Sequence, residues 1–460
     1  MKRKPRNTRL RRLSARGPGK GVKIYFEKGI LYTMKKRMTP ALAGLALSLL
    51  LFSACGGQDA PAQSGLQPEP QSQPQASAPA ASPIRFLGKR DDAAAGAQGV
   101  YYLGSSSPNV VHYYEEASGQ SVPLCARPEC PHTDDSCTAW APGMLYLLLD
   151  EQDPAQPLYL YSSTEDPSGK QYPAVRLYRM SPSGADRTLC MEYQNGLVDL
   201  QMAASDEFVY FLSSEVDPAT QSSVKCLYQA RLSDGTLEKL KQYDQPTILL
   251  GAYDQKLVLE HNNDSYLSAV ADVFEVDVTT GQETQLFHYA ASGEMADEYN
   301  PAPHAVAFSH QQYLYILEPA GGRTAQLSRR DLRTGEEQTV AESVPYYGSQ
   351  VAEDGCFLDG KLLLTCSENT GDGMKGSTFA IDLESGSCQE VTLHDGYGVP
   401  YEVAGETEQH FIIPLGESLR TAKVTGPTGV EETSSYYATD FYLLKKADYY
   451  ASTDNRTPLQ

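Results

Sequence analysis

The 460-residue chain carries 58 Asp/Glu against 38 Lys/Arg, for a net charge of −20 at pH 7. The charge is unevenly placed: residues 1–54 hold 14 basic residues and one acid, which leaves −33 on everything after Ala54. So acidic a body repels phosphate backbones and anionic head groups. This argues against nucleic acid and direct adhesion to a lipid surface, and for cations or basic polymers as partners.

In chain order, residues 1–33 precede a complete export signal and read as a non-native extension, with Met34 as the start. Arg11-Arg12 lies too far from the apolar run to serve as a twin-arginine signal. Residues 34–54 pair a basic Lys35-Lys36-Arg37 with the apolar run Ala41–Leu51 and small residues at Ser53-Ala54. That is the pattern of a secretory signal peptide. About 20 apolar residues are needed to cross a bilayer, and this run is shorter. Phe52-Ser53-Ala54-Cys55 resembles the lipobox of bacterial lipoproteins. The resemblance implies cleavage after Ala54, acylation of the Cys55 thiol, and attachment to the outer face of the cell membrane through that lipid.

Residues 55–83 are Gln, Pro, Ala and Ser with little apolar mass. They cannot bury enough surface to offset the entropy of ordering, so a disordered tether is expected. Extended at about 3.1 Å per residue, it would reach on the order of 80 Å.

From Ile84 the pattern becomes short apolar runs divided by turns, and two signals recur seven times. One is a strand: Val100–Leu103, Met144–Leu147, Phe208–Phe211, Leu257–Leu259, Tyr313–Ile316, Leu362–Leu364 and Phe411–Ile413. The other is a glycine turn: Ser118-Gly119, Ser183-Gly184, Asp234-Gly235, Thr280-Gly281, Thr334-Gly335, Ser385-Gly386 and, most weakly, Thr428-Gly429. Glycine supplies the positive φ of a tight hairpin. The strands before these turns alternate, as in Phe274-Glu275-Val276-Asp277-Val278, which signals a half-buried strand. A unit of about 50 residues with four short strands predicts an all-β chain, a β-propeller over residues 84–455 with seven four-stranded blades. A pair of β-sandwiches would not need one repeated unit. The long interval between Met144 and Gly184 predicts a loop near Asp150–Tyr172. Leu227-Tyr228…Leu232-Ser233-Asp234-Gly235 resembles the repeats of TolB-like and pyrroloquinoline-quinone-type propellers. That resemblance implies a fold and no function.

Between the first two units lies a Cys/His segment, residues 125–140, in which Cys125, Cys130, His132 and Cys137 form C-x4-C-x-H-x4-C. Three thiols and an imidazole suit a tetrahedral zinc ion, and four protein ligands would make the site structural. Two other readings stand beside it. With Cys55 acylated, eight cysteines remain, enough for four disulfides in an exported protein, and the thiols could also stay free. Trp140 is expected to pack over the segment. The segment is also similar to a Pro-Glu-Cys-x-His stretch in surface lipoproteins of clostridia-type anaerobes, which implies a family feature without an activity.

No G-x-S-x-G, Walker A or H-E-x-x-H motif occurs. The remaining histidines (112, 261, 288, 304, 310, 394 and 410) stand apart in sequence and read as strand or loop residues. Glu260–Asp264 and Asn369–Gly373 could donate oxygens to calcium but read first as solvated turns. Thirty tyrosines suit strand faces, and those near a propeller mouth could stack on sugars. The leading functional expectation is a noncatalytic module binding an extracellular polymer or protein. The alternatives are a polysaccharide lyase or glycosidase and a metal or redox sensor built on the Cys/His segment.

Overall fold

The apolar runs are too continuous for a sheet with one wet face, and the packing shows why. In the strand Phe208–Val216, Val209 and Phe211 enter one core while Tyr210 and Leu212 enter the next. Each sheet is covered on both faces by its neighbours, so successive side chains of one strand feed two different cores. Glu275 within Phe274–Val276 is accordingly buried, not exposed. Its carboxylate accepts from the Tyr253 hydroxyl and from Lys256 Nζ at 2.5 Å.

The computed structural model describes residues 82–90, 93–96, 99–103, 109–150, 153, 157–166, 171–217, 219–262, 270–290, 305–346, 356–369, 374–425 and 431–459. The export signal, Cys55 and most of the tether lie outside them. After β1 (Arg85–Arg90), blade 1 is β2 (Ala93–Gly96), β3 (Gly99–Leu103), β4 (Val111–Glu115) and β5 (Gln120–Pro123). Blade 2 is β6 (Met144–Leu149), β7 (Leu158–Thr164), β8 (Ala174–Met180) and β9 (Arg187–Tyr193). Blade 3 is β10 (Leu197–Ala204), β11 (Phe208–Val216), β12 (Ser223–Arg231) and β13 (Leu237–Tyr243); blade 4 is β14 (Thr247–Tyr253), β15 (Lys256–Asn262), β16 (Val270–Asp277) and β17 (Glu283–Ala290). Blade 5 is β18 (Val306–His310), β19 (Tyr313–Gly321), β20 (Thr324–Asp331) and β21 (Glu337–Pro345); blade 6 is β22 (Cys356–Leu358), β23 (Lys361–Asn369), β24 (Met374–Asp382) and β25 (Cys388–Val391). Blade 7 is β26 (Gly405–Glu406), β27 (His410–Thr425), β28 (Glu431–Lys445), the helix α1 (Lys446–Tyr450) and β29 (Thr457–Pro458). Every blade is an antiparallel meander, and together they make the seven-bladed propeller the repeat predicts.

Two sequence expectations need correction. Met144–Leu147 was aligned with the second strands of the other units, but it is the inner, first strand of blade 2. The second strand is β7, inside the stretch expected to be a loop. Its Leu-Tyr-Leu-Tyr run is as apolar as Met-Leu-Tyr-Leu, so local pattern could not choose between them. The other six glycine turns join third to fourth strands, with φ between +65° and +76°. Thr428-Gly429 lies outside the described residues, between the second and third strands of blade 7. There α1 joins third strand to fourth.

The ring closes by packing. Ala93, Ala95, Val100 and Tyr102 of blade 1 share a core with Ile412, Phe441 and Leu443 of blade 7. A Glu116–His410 hydrogen bond crosses the same junction. Each fully buried large apolar side chain contributes about 1.5–3 kcal/mol, against about 0.5–1.5 kcal/mol for a single hydrogen bond, so the apolar contact dominates closure. Among the described residues no strand from one terminus completes a blade of the other. Instead β1 sits between two inner strands, pairing through Arg85–Leu87 with β10 and through Gly88–Arg90 with β6. It fuses blades 2 and 3 into one nine-stranded sheet.

Candidate metal centre

The β5–β6 connection carries the Cys/His segment, and both of its ends are tied to β4. The Val111 carbonyl accepts from Leu124 N at 2.9 Å, and Val111 N donates to the Ala139 carbonyl at 2.9 Å. Between these ties the chain folds back twice. Cys130 N donates to the Arg127 carbonyl at 3.2 Å across Pro128, and Cys137 N donates to the Asp134 carbonyl at 3.0 Å. The Asp134 carboxylate steadies the second turn by accepting from Ser136 N at 2.9 Å. His132 takes φ +55°, a left-handed conformation uncommon outside glycine, which suits a side chain that must reach a fixed point.

These turns bring together all four residues singled out in the sequence. The Sγ atoms of Cys125, Cys130 and Cys137 and a ring nitrogen of His132 all lie within 4.8 Å of one another. His132 Nδ1 is 3.2 Å from Cys137 Sγ. Tetrahedral zinc, with bonds of about 2.3 Å to sulfur and 2.0 Å to nitrogen, needs ligand atoms roughly 3.7 Å apart, so small rotamer adjustments would close the set on an ion. The eight cysteines after Cys55 are all unbridged in the structure.

The four ligands differ in their surroundings. Cys130 and Cys137 sink into the blade 1–blade 2 core with Leu124, Val110 and Ala139, and Trp140 packs against it as expected. Burial pushes the Cys137 thiol up to about 12. At Cys125 burial also pushes upward, but hydrogen bonds outweigh it, led by the Arg127 backbone N–H, and bring the thiol down to about 7. Arg127 Nη2 donates to Cys130 Sγ at 3.2 Å and also to the Ser136 carbonyl. Blade 2 grips the loop from outside: Thr138 Oγ1 donates to the Gly184 carbonyl at 2.7 Å, and Arg187 donates to the Trp140 carbonyl and, at 3.2 Å, to that of Asp135. His112 lies nearby yet belongs to the core. Burial lowers its pKa to about 4 against the opposing pull of the Val110 carbonyl, and its ring packs on Tyr102.

Among the described residues no other group of three or more Cys, His, Asp and Glu side chains converges in a form that could hold a metal ion. His261 bonds Thr247 Oγ1 at 2.9 Å and packs on Phe274, His288 pairs with Asp272, His310 stacks on Phe357, and His394 meets the Gly376 carbonyl. Asn263–Asp264 and Thr370–Gly373 of the calcium candidates, and His304, lie outside the described residues. Several tyrosines donate to carboxylates inside the blades. Tyr193 and Tyr228 hydroxyls both reach Glu215 Oε1, at 2.5 and 2.6 Å, and Tyr397 is the one strongly exposed tyrosine among the large hydrophobic and aromatic side chains described.

Sequence reasoning missed a second polar cluster. Arg85 of β1 donates through Nε to Asp150 Oδ2 at 2.8 Å and through Nη2 to Asp206 at 3.2 Å and Asp153 at 3.4 Å. Asp150 is fully buried, and desolvation raises its pKa despite the guanidinium. The partners lie 65 to 121 residues from Arg85, so no local spacing announces them.

No family model and no curated protein matches the chain. Among solved structures it is similar to TolB from Acinetobacter baumannii, at 12% identity over 77% of this chain and 76% of that one, with a TM-score of 0.31. It is also similar to an acylaminoacyl peptidase from Pyrococcus horikoshii, at 10% identity over 82% of this chain and 52% of that one, TM-score 0.39. An oligogalacturonate lyase in complex with manganese matches at 11% identity over 58% of this chain and 70% of that one, TM-score 0.32. Likenesses this distant carry no chemistry to this chain, and the propeller assignment rests on its own seven blades.

Proposed function

We propose that this chain is a lipid-anchored protein of the outer face of the cell membrane, whose propeller is a noncatalytic module for an extracellular polymer or protein partner. A structural zinc ion on Cys125, Cys130, His132 and Cys137 would fix its Cys/His loop. The observation that carries this reading is the form of the convergent groups. The one metal-ligating set among the described residues supplies four protein ligands, leaving no position for a reacting water.

Several acids that converge elsewhere among the described residues are held by donors. Asp150, Asp153 and Asp206 meet on Arg85, Glu215 on two tyrosines and Lys239, and Glu275 on Tyr253 and Lys256. Glycosidase chemistry needs two carboxylates about 5–9.5 Å apart that are free to act as acid and as base or nucleophile. Support for the anchor is the Phe52–Cys55 motif and the Pro/Gln-rich tether behind it, and the acidic body favours a basic partner.

One preparation tests both halves. The Cys55→Ser chain is expected to leave the membrane fraction for the medium, and there to show no turnover of glycan or peptide panels. A membrane-bound Cys55→Ser chain would refute the anchor. A hydrolytic or lyase rate lost on Asp150→Asn or Asp206→Asn would refute the noncatalytic reading.

A further inference from the structure

We infer that Arg127 is the residue that balances the charge of the metal centre, and so sets how tightly the loop holds a divalent thiophilic ion. The inference rests on the zinc reading above and goes one step past it. Three thiolates, one neutral imidazole and a divalent ion leave a net charge of −1. Two of those sulfurs are buried, Cys137 at 1% and Cys130 at 9% exposure, among Leu124, Val110 and Ala139. A net charge in such surroundings is costly unless an opposite charge sits beside it. The rest of the molecule makes matters worse: the chain is at −20 overall, and the loop itself adds Glu129, Asp134 and Asp135.

Arg127 meets that need by position. Its Nη2 is 3.2 Å from Cys130 Sγ, and it is the only cation among the described residues with a hydrogen bond to a sulfur of the cluster. A second bond, to the Ser136 carbonyl, holds the guanidinium across the mouth of the loop. The Pro128 turn, closed by Cys130 N on the Arg127 carbonyl, returns the side chain to the sulfur two residues beyond the proline. The other nearby cation, Arg187, is committed to the Trp140 and Asp135 carbonyls and stacks on Tyr178 at 4.7 Å. With Arg127 counted, the metal-loaded centre is neutral.

Groups that orient or neutralise metal ligands from outside change affinity by about 10–100-fold when removed. Competition with a chelator, on the full chain, is the direct test. Arg127→Met keeps the length and removes the charge, and it should weaken zinc by that factor. Arg127→Lys keeps the charge on a less oriented group and should fall between the two. Cobalt substitution gives a readout that a merely structural role would not move. At saturation Arg127→Met should show the same tetrahedral thiolate spectrum as the parent chain while needing 10–100-fold more free ion. Should Arg127→Met fail to fold, Arg127→Gln takes its place. If the parent binds zinc and the charge-removing variant binds it equally well, the inference fails alone. If the parent binds neither zinc nor cobalt, the metal reading beneath it fails.

Discussion

Replacing Arg85 by leucine is expected to destabilise the propeller by about 3–5 kcal/mol, the range for stripping a buried ion of its partner. Arg85 is the counterion of Asp150, which is fully buried at the end of β6, and it also reaches Asp206 at the β10–β11 turn. Through β1 it therefore joins the inner edges of blades 2 and 3. The pH dependence has a definite sign. Burial holds the folded pKa of Asp150 above its unfolded value, and losing the guanidinium raises it further. A raised carboxyl pKa means the folded state takes up the proton more readily. Stability of Arg85→Leu should therefore recover as the pH falls through that folded pKa toward the unfolded value near 4. The double variant Arg85→Leu/Asp150→Leu should regain most of the loss, since an apolar pair can replace a buried ion pair. Urea unfolding of the parent and the two variants measures both effects. A single variant as stable as its parent would show that this cluster does not hold β1 in the ring.

The second large effect falls on one glycine and spares another of the same conformation. Gly281 and Gly386 both close third-to-fourth-strand turns at φ +70°. A Cβ on Gly281 would meet nothing within 4 Å, whereas one on Gly386 would run into the Val340 carbonyl of the preceding blade. Gly281→Ala should cost only the left-handed conformation, about 1–2 kcal/mol. Gly386→Ala adds overpacking of about 1–3 kcal/mol, for a total of about 2–5 kcal/mol, because the blade 5–blade 6 contact must open. Thermal unfolding of the two variants gives the comparison. Equal losses would mean that the turn does not press on its neighbour.

The same turns show what could be read before any coordinates. Their glycines were legible because the need for positive φ is local. A further local signal went unused: Asp277, Asp331 and Asp382 each stand four residues before the glycine and accept from backbone N–H groups inside the turn. Blade 2 was misregistered because Met144–Leu147 and Leu158–Tyr161 are equally apolar, and only pairing with β1 and β7 shows which is inner. The helix in blade 7 was missed because it replaces the glycine turn that marks the other six units. At the sites the contrast is one of sequence distance. Cys125, Cys130, His132 and Cys137 fall within one connection, so their spacing revealed them. Arg85 and its three aspartates come from β1 and two separate blades and meet only when β1 docks between blades 2 and 3.

The claim on which the account turns is that three thiols and one imidazole form a closed metal centre. Native mass spectrometry of the full chain, purified without chelator, should show one zinc ion per molecule. Alkylation after denaturation and metal removal should then modify all eight cysteines that follow Cys55. A chain that carries no metal and has a disulfide between any two of Cys125, Cys130 and Cys137 would contradict it.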